Sequence, residues 1–202
     1  MLSIEERDAE RLVLELQHRV KNMAAVVRGI ARRTAETSFD LEEFQARFDG
    51  RLAALVRAHA ANARTTLAGG DLEEIVAETL LENALARDNW RIEGPPVRLE
   101  LSLVETLSLL IHELAVESAL HGALGEPEGR LVVSWAASDG RLALTWREQG
   151  LADRQPPEDF EFAQELLDQG LAYQFEGSSE LRVEPTGLAC VIEVPLRPVS
   201  SL

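Results

Sequence analysis

Between residues 13 and 30 the apolar positions Val13, Leu16, Val20, Met23, Val27 and Ile30 recur at alternating spacings of 3 and 4. That is the stripe of a coiled coil or helical bundle. It predicts a helix from near Ser3 to about Ala35, with a second helix after Ser38. Asp40 is placed to cap the second helix and Glu43 to complete a capping box, with Phe39 and Phe44 at the positions of a hydrophobic staple. Leu41, Phe44, Phe48, Leu52, Leu55 and Val56 then form its apolar face. So short a turn between two long helices predicts an antiparallel hairpin. One hairpin leaves its stripe half uncovered, so a second copy completing a four-helix bundle is expected, making the chain a homodimer.

The pattern changes after Gly69 and Gly70. Residues 71–86 read as a helix and 89–94 as a strand that stops at Pro95 and Pro96. A long helix follows, with Ser102 as its expected cap and Glu105 at the third helical position, running to about Gly122. Alternating segments at 130–137 and 141–148, joined at Ser138, Asp139 and Gly140, predict a β-hairpin. A further helix is expected over 156–173 and a closing strand over 187–196. Helices on one face of a mixed sheet make an α/β sandwich, so the whole chain is expected to be α+β. The expected domains are 1–67, a helical hairpin, and 68–202, a sandwich.

Charge supports that division. Residues 1–67 hold 11 Lys and Arg against 10 Asp and Glu, whereas 68–202 hold 9 against 25. So acidic a second half argues against nucleic acid as a partner. No apolar run is long enough for a membrane span, and the first residues are charged where an export signal would be apolar, so a soluble cytoplasmic protein is expected. The single cysteine, Cys190, lies in an apolar strand-like run and reads as a buried, inert thiol. Trp90, Trp135 and Trp146 also sit in strand-like runs and read as core. His112 and Glu113 begin like a zinc-protease motif, but Val116 stands where the second histidine must be, so no metal site is expected. His59 reads as helix packing.

With Val13, Val20 and Val27 at heptad position a, His18 takes the outward position f. Lys21, the only lysine in the chain, and Asn22 follow one turn later on the same face. An exposed imidazole is a capable nucleophile near neutral pH, and a cation and an amide beside it suit phosphoryl oxygens. Position alone favours an ordinary surface histidine. Residues 14–33, however, resemble the phosphoacceptor box of the HWE family of bacterial histidine kinases, whose core is HRxxN; His18, Arg19 and Asn22 match it. Residues 51–59 are similar to that family's second dimerisation helix. The resemblance implies that His18 is phosphorylated, with Arg19, Lys21 and Asn22 around it, and that the hairpin dimerises.

The second half resembles the same family's ATP-binding domain. Residues 112–124, HELAVESALHGAL, are similar to its HELxTNAxKYGAL helix, and Trp146 and Glu148 match its WxE motif. The departures fall on the nucleotide site. Glu117 stands where the family has Asn, and Leu120 where it has Lys. Its Glu-x-Gly-Gly-Pro stretch becomes Glu148, Gln149, Gly150, Leu151 and Ala152. Its GFGxxL stretch aligns to residues 161–166, with Glu161 and Ala163 in place of the glycines. Glycines let backbone N–H groups approach phosphates. A like charge at about 4 Å, with an effective dielectric constant of about 20, costs roughly 4 kcal/mol before screening. On this reading Glu113, Glu117, Glu148, Gly150 and Glu161 are vestiges of a nucleotide site.

The sequence therefore points to a histidine phosphotransferase of a bacterial His–Asp phosphorelay, carrying a phosphoryl group on His18 between response-regulator receiver domains. No cofactor is expected on the chain itself, the receiver supplying Mg²⁺. The alternatives are an active HWE-type kinase core that phosphorylates His18 from ATP, and a non-catalytic module that docks receivers.

Overall fold

The structure, a computed structural model, describes residues 4–63, 69–84, 89–151, 161–184 and 186–197. The backbone divides into two compact units, Met1–Leu52 and Ala53–Leu202. They meet inside the second helix, upstream of the 67/68 boundary suggested by charge.

In the first unit, α1 (Ile4–Thr37) ends where hydroxyls take over its last carbonyls. Thr37 Oγ1 donates to Arg33 O at 3.0 Å and Ser38 Oγ to Thr34 O at 2.6 Å. Helix α2 (Leu41–Ala63) begins with the expected cap: Asp40 Oδ1 accepts from Glu43 N at 2.9 Å, and Glu43 Oε2 accepts from Phe39 N at 2.8 Å. The staple is not made. Phe39 is 89% exposed, and Phe44 instead stacks on Phe48 one turn on, ring centroids 5.6 Å apart. Leu41 and Val56 are also exposed, so the apolar face of α2 is narrower than the sequence suggested. The tie between the helices is polar: buried Arg51 donates from Nη1 to Thr34 Oγ1 at 2.9 Å, and Thr34 Oγ1 donates to Ile30 O at 2.7 Å.

The second unit contains the last turns of α2, whose Ala58 joins its core. Arg57 pairs with Glu82 at 2.8 Å. After β1 (Gly70–Asp71), Asp71 caps α3 (Leu72–Asn83) by accepting from Glu73 N and Glu74 N. Next come β2 (Trp90–Glu93), β3 (Arg98–Leu99) and α4 (Leu101–His121). Ser102 is not the cap of α4. The preceding residue is Glu100, without a side-chain cap, because β3 pairs with β1 and runs straight into the helix; Ser102 O instead accepts from Thr106 Oγ1 at 3.2 Å.

Strands β4 (Arg130–Ser138) and β5 (Arg141–Gln149) turn through Asp139 and Gly140, whose φ angles of 51° and 71° fit a primed hairpin turn. The expected later helix is a short α5 (Glu161–Glu165) that continues as a π-helix over Leu166–Gln174. Strands β6 (Ser178–Glu184) and β7 (Gly187–Pro195) finish the sheet, whose order is β2-β4-β5-β7-β6. Strand β2 runs parallel to β4 and the other neighbours are antiparallel.

Alternate residues of the strands point to one face, which the helices cover. Leu131, Val133 and Trp135, then Leu142, Leu144 and Trp146, then Leu188, Cys190, Ile192 and Val194 share one core with α3, α4 and the π-helix. Burial pushes the Cys190 thiol up to about 12, so it stays protonated and inert. Trp135 spends its indole N–H on Pro95 O at 2.8 Å. The chain is thus a mixed α+β protein with an α/β-sandwich unit.

Candidate functional site

His18, Arg19, Lys21 and Asn22 all fall on α1. Lys21 is exposed; the side chains of His18, Arg19 and Asn22 lie outside the described residues. Around them the stripe is open on this single chain: Val13 is 52%, Val20 68% and Met23 40% exposed, and among its described side chains Ile30 is the buried one. His59 belongs elsewhere. Its Nε2 lies 2.9 Å from Glu105 Oε1 on α4, without hydrogen-bond alignment. Burial raises the Glu105 carboxyl above its ordinary value, and the His59 charge opposes that rise.

In the second unit, Glu113 and Glu117 sit one turn apart on α4, both half-buried. Leu120, where the resemblance gives Lys, is exposed. Glu148 is only 1% exposed. Its Oε1 accepts from Trp146 Nε1 at 3.1 Å and its Oε2 from Ala123 N at 3.4 Å, which links β5 to the loop after α4. Gly150 has φ +83°, and a Cβ there would fall 2.4 Å from Glu128 O, so no other residue fits without strain. Glu161 opens α5, its side chain outside the described residues, as is all of Ala152. Ala163, in place of a family glycine, is buried in the core. The structure thus joins the Glu148 strand to the α4 loop, within a different unit from the His18 group. Sequence reasoning missed the buried Arg51–Thr34 tie and the fully enclosed Glu148. An Arg seven residues before Ala58 on an apolar helix face was the available signal for the first.

The sandwich is the fold of a histidine kinase domain. The whole chain superposes on the histidine kinase domain of an Erythrobacter litoralis blue-light activated histidine kinase with a TM-score of 0.59, at 16% identity, covering 95% of this chain and 94% of that one. Residues 15–96 match the HWE histidine kinase family, and the chain belongs to that family. It is 30% identical over 203 residues to Blue-light-activated histidine kinase 1 of Erythrobacter litoralis (strain HTCC2594), covering 95% of this chain and 56% of the relative. To a blue-light-activated histidine kinase of Rhizobium johnstonii it is 30% identical over 192 residues, covering 94% of this chain and 54% of the relative. The chain therefore spans about half the length of these relatives.

These relatives overturn the phosphotransferase reading. Proteins similar across nearly the whole chain are named as histidine kinases, and so is the family whose model matches residues 15–96. That reading gave too much weight to single charges. Gly150 keeps the backbone conformation only glycine allows, and Glu148 is enclosed rather than turned toward a ligand. Glu113 and Glu117 offer hard carboxylate oxygens, the donors Mg²⁺ prefers. Among the described residues no group of three or more His, Cys, Asp or Glu could hold a metal alone.

Proposed function

We propose that this chain is a histidine kinase core that transfers the γ-phosphoryl group of ATP to His18. The observation that carries the reading is a relationship to named histidine kinases over 94–95% of the chain, spanning both the His18 helix and the sandwich. The lone-pair nitrogen of His18 forms an N–P bond as the bond from the γ-phosphorus to the bridging oxygen breaks, and ADP leaves. Lys21 offers charge to the phosphoryl oxygens and Asn22 hydrogen bonds. Mg²⁺ bound with ATP supplies charge neutralisation at the phosphates. Glu113 and Glu117 are the groups on this chain for holding that complex. A response-regulator receiver domain is the natural acceptor of the phosphoryl group, and the cytoplasm, where ATP is available, the place for the reaction.

The reading includes a homodimer with a four-helix bundle. What supports it is the exposure of Val13, Val20 and Met23 on α1 and of Leu41 and Val56 on α2, apolar side chains that a second copy would cover. Against the kinase reading stands the expectation that no nucleotide binds, drawn from Glu117 and the lost glycines. Calorimetry with MgATP decides between them. Saturable binding at micromolar to millimolar concentration is expected, and no heat at several millimolar would overturn the reading.

A further inference from the structure

We propose that the last turns of α2 are a releasable strap: seated on α3 and α4 by two imperfect ion pairs, they hold the sandwich to α2 in a resting form, and their release precedes transfer to His18. The timing relative to transfer rests on the kinase reading above; the strap itself does not.

The two units divide inside α2, between Leu52 and Ala53, so the turns from Ala53 to Ala63 fold with the sandwich. Little apolar surface holds them there. Among the described residues of α2, Ala58 alone belongs to the sandwich core, with a single methyl group. That buries far less than the leucines of α3 and α4 in the same core, such as Leu80 and Leu110. The remaining ties are charged. Arg57 and His59 stand about 100° to either side of Ala58 around the helix, and each reaches a different neighbour. Arg57 Nη1 lies 2.8 Å from Glu82 Oε2 on α3, and His59 Nε2 lies 2.9 Å from Glu105 Oε1 on α4.

Neither tie is complete. Arg57 Nη2 and His59 Nε2 are buried and have no hydrogen-bond partner. Burial raises the Glu105 carboxyl even with His59 beside it, so desolvation outweighs the attraction. Buried pairs of this kind add little to stability, and their best-attested use is in fixing registry or in switching. An arrangement tuned for reaction is held by satisfied contacts instead. Releasing the end of α2 therefore gives up one methyl contact and two poorly satisfied pairs, and leaves the leucine core of the sandwich intact. While the strap is seated, α4 is fixed to α2, and with it Glu113 and Glu117, which the kinase reading assigns to the nucleotide. Release frees them to travel with the sandwich.

Two full-chain variants test this in opposite directions. His59→Leu combined with Glu105→Leu replaces an imperfect pair by apolar side chains and locks the strap. It should raise the denaturation midpoint, slow amide hydrogen exchange over residues 54–61 by about tenfold, and slow ATP-dependent labelling by a similar factor. Arg57→Gln loosens the strap. It should speed exchange over the same residues by about tenfold, with circular dichroism unchanged, and make labelling faster. A pair that serves only to hold the fold gives the reverse order: the more stable variant labels at least as fast as the wild type and the looser one more slowly. That order would overturn the proposal. A locked variant less stable than the wild type, or unchanged exchange over residues 54–61 in either variant, would overturn it independently of any activity. Absence of labelling in the wild-type chain would fall on the kinase reading, leaving exchange and unfolding to judge the strap.

Discussion

The two units bury their apolar residues to opposite degrees. In the sandwich, Leu107, Leu110, Leu114, Leu144 and Trp146 have essentially no exposed surface, and three helical segments and a five-stranded sheet close on one core. On the first helix the same kinds of residue stand in the open, Val20 with 68% of its surface exposed. A sandwich supplies two layers from one chain, whereas a hairpin supplies only half a bundle. The sandwich is therefore complete as one chain, and the open stripe of α1 is the face that the proposed second copy would cover.

The largest effect expected is in the complete unit. Leu110→Ala removes a fully buried side chain from α4 and should cost about 2–5 kcal/mol, at every protein concentration, in thermal or denaturant unfolding. Changing Val20 and Val27 together to Asp should instead act through association. Each would bury an unpaired charge in the seam of a dimer, so sedimentation at tens of micromolar should show dimer for the wild type and monomer for the variant. On a chain that is already a monomer the same change at exposed Val20 would be close to neutral. Within the hairpin, Arg51→Ala should cost about 1–3 kcal/mol, because it cuts the polar tie to Thr34. Asp40→Ala should cost about 1 kcal/mol, read as a lower melting temperature.

The smallest effect concerns pH. Folding raises the Glu105 carboxyl above its ordinary value, so its contribution is fully present below the unfolded value and is lost as pH rises through the folded one. Glu105→Gln should flatten that fall in stability above about pH 4.5, seen in unfolding midpoints across the acid range.

How much of this was legible in the sequence follows from which contacts are local. The capping box of Asp40 and Glu43, the hairpin at Asp139 and Gly140, and the alternation of β4 and β5 depend on neighbours a few residues away, and all formed where expected. Strand β6 was not foreseen: Leu181 and Val183 alternate with Glu180, Arg182 and Glu184, but the apolar run is only two residues long and Val183 is exposed, as befits an edge strand. The start of α4 was misplaced because a strand pairing about thirty residues distant fixes it. His18, Arg19 and Asn22 read as a motif from the sequence alone, and their side chains lie outside the described residues. The enclosure of Glu148 was not, since it depends on Ala123 and Trp146 meeting across the fold, and a carboxylate's charge is visible in a sequence while its burial is not.

The claim that His18 receives its phosphoryl group from ATP is tested most directly by incubating the full chain with γ-labelled ATP and Mg²⁺, alone. The account predicts an acid-labile, base-stable label on the wild-type chain, lost in His18→Ala with circular dichroism unchanged, and weaker in Lys21→Ala and Asn22→Ala by about ten- to a hundredfold in rate. No label from ATP, or a label that survives His18→Ala, would contradict it.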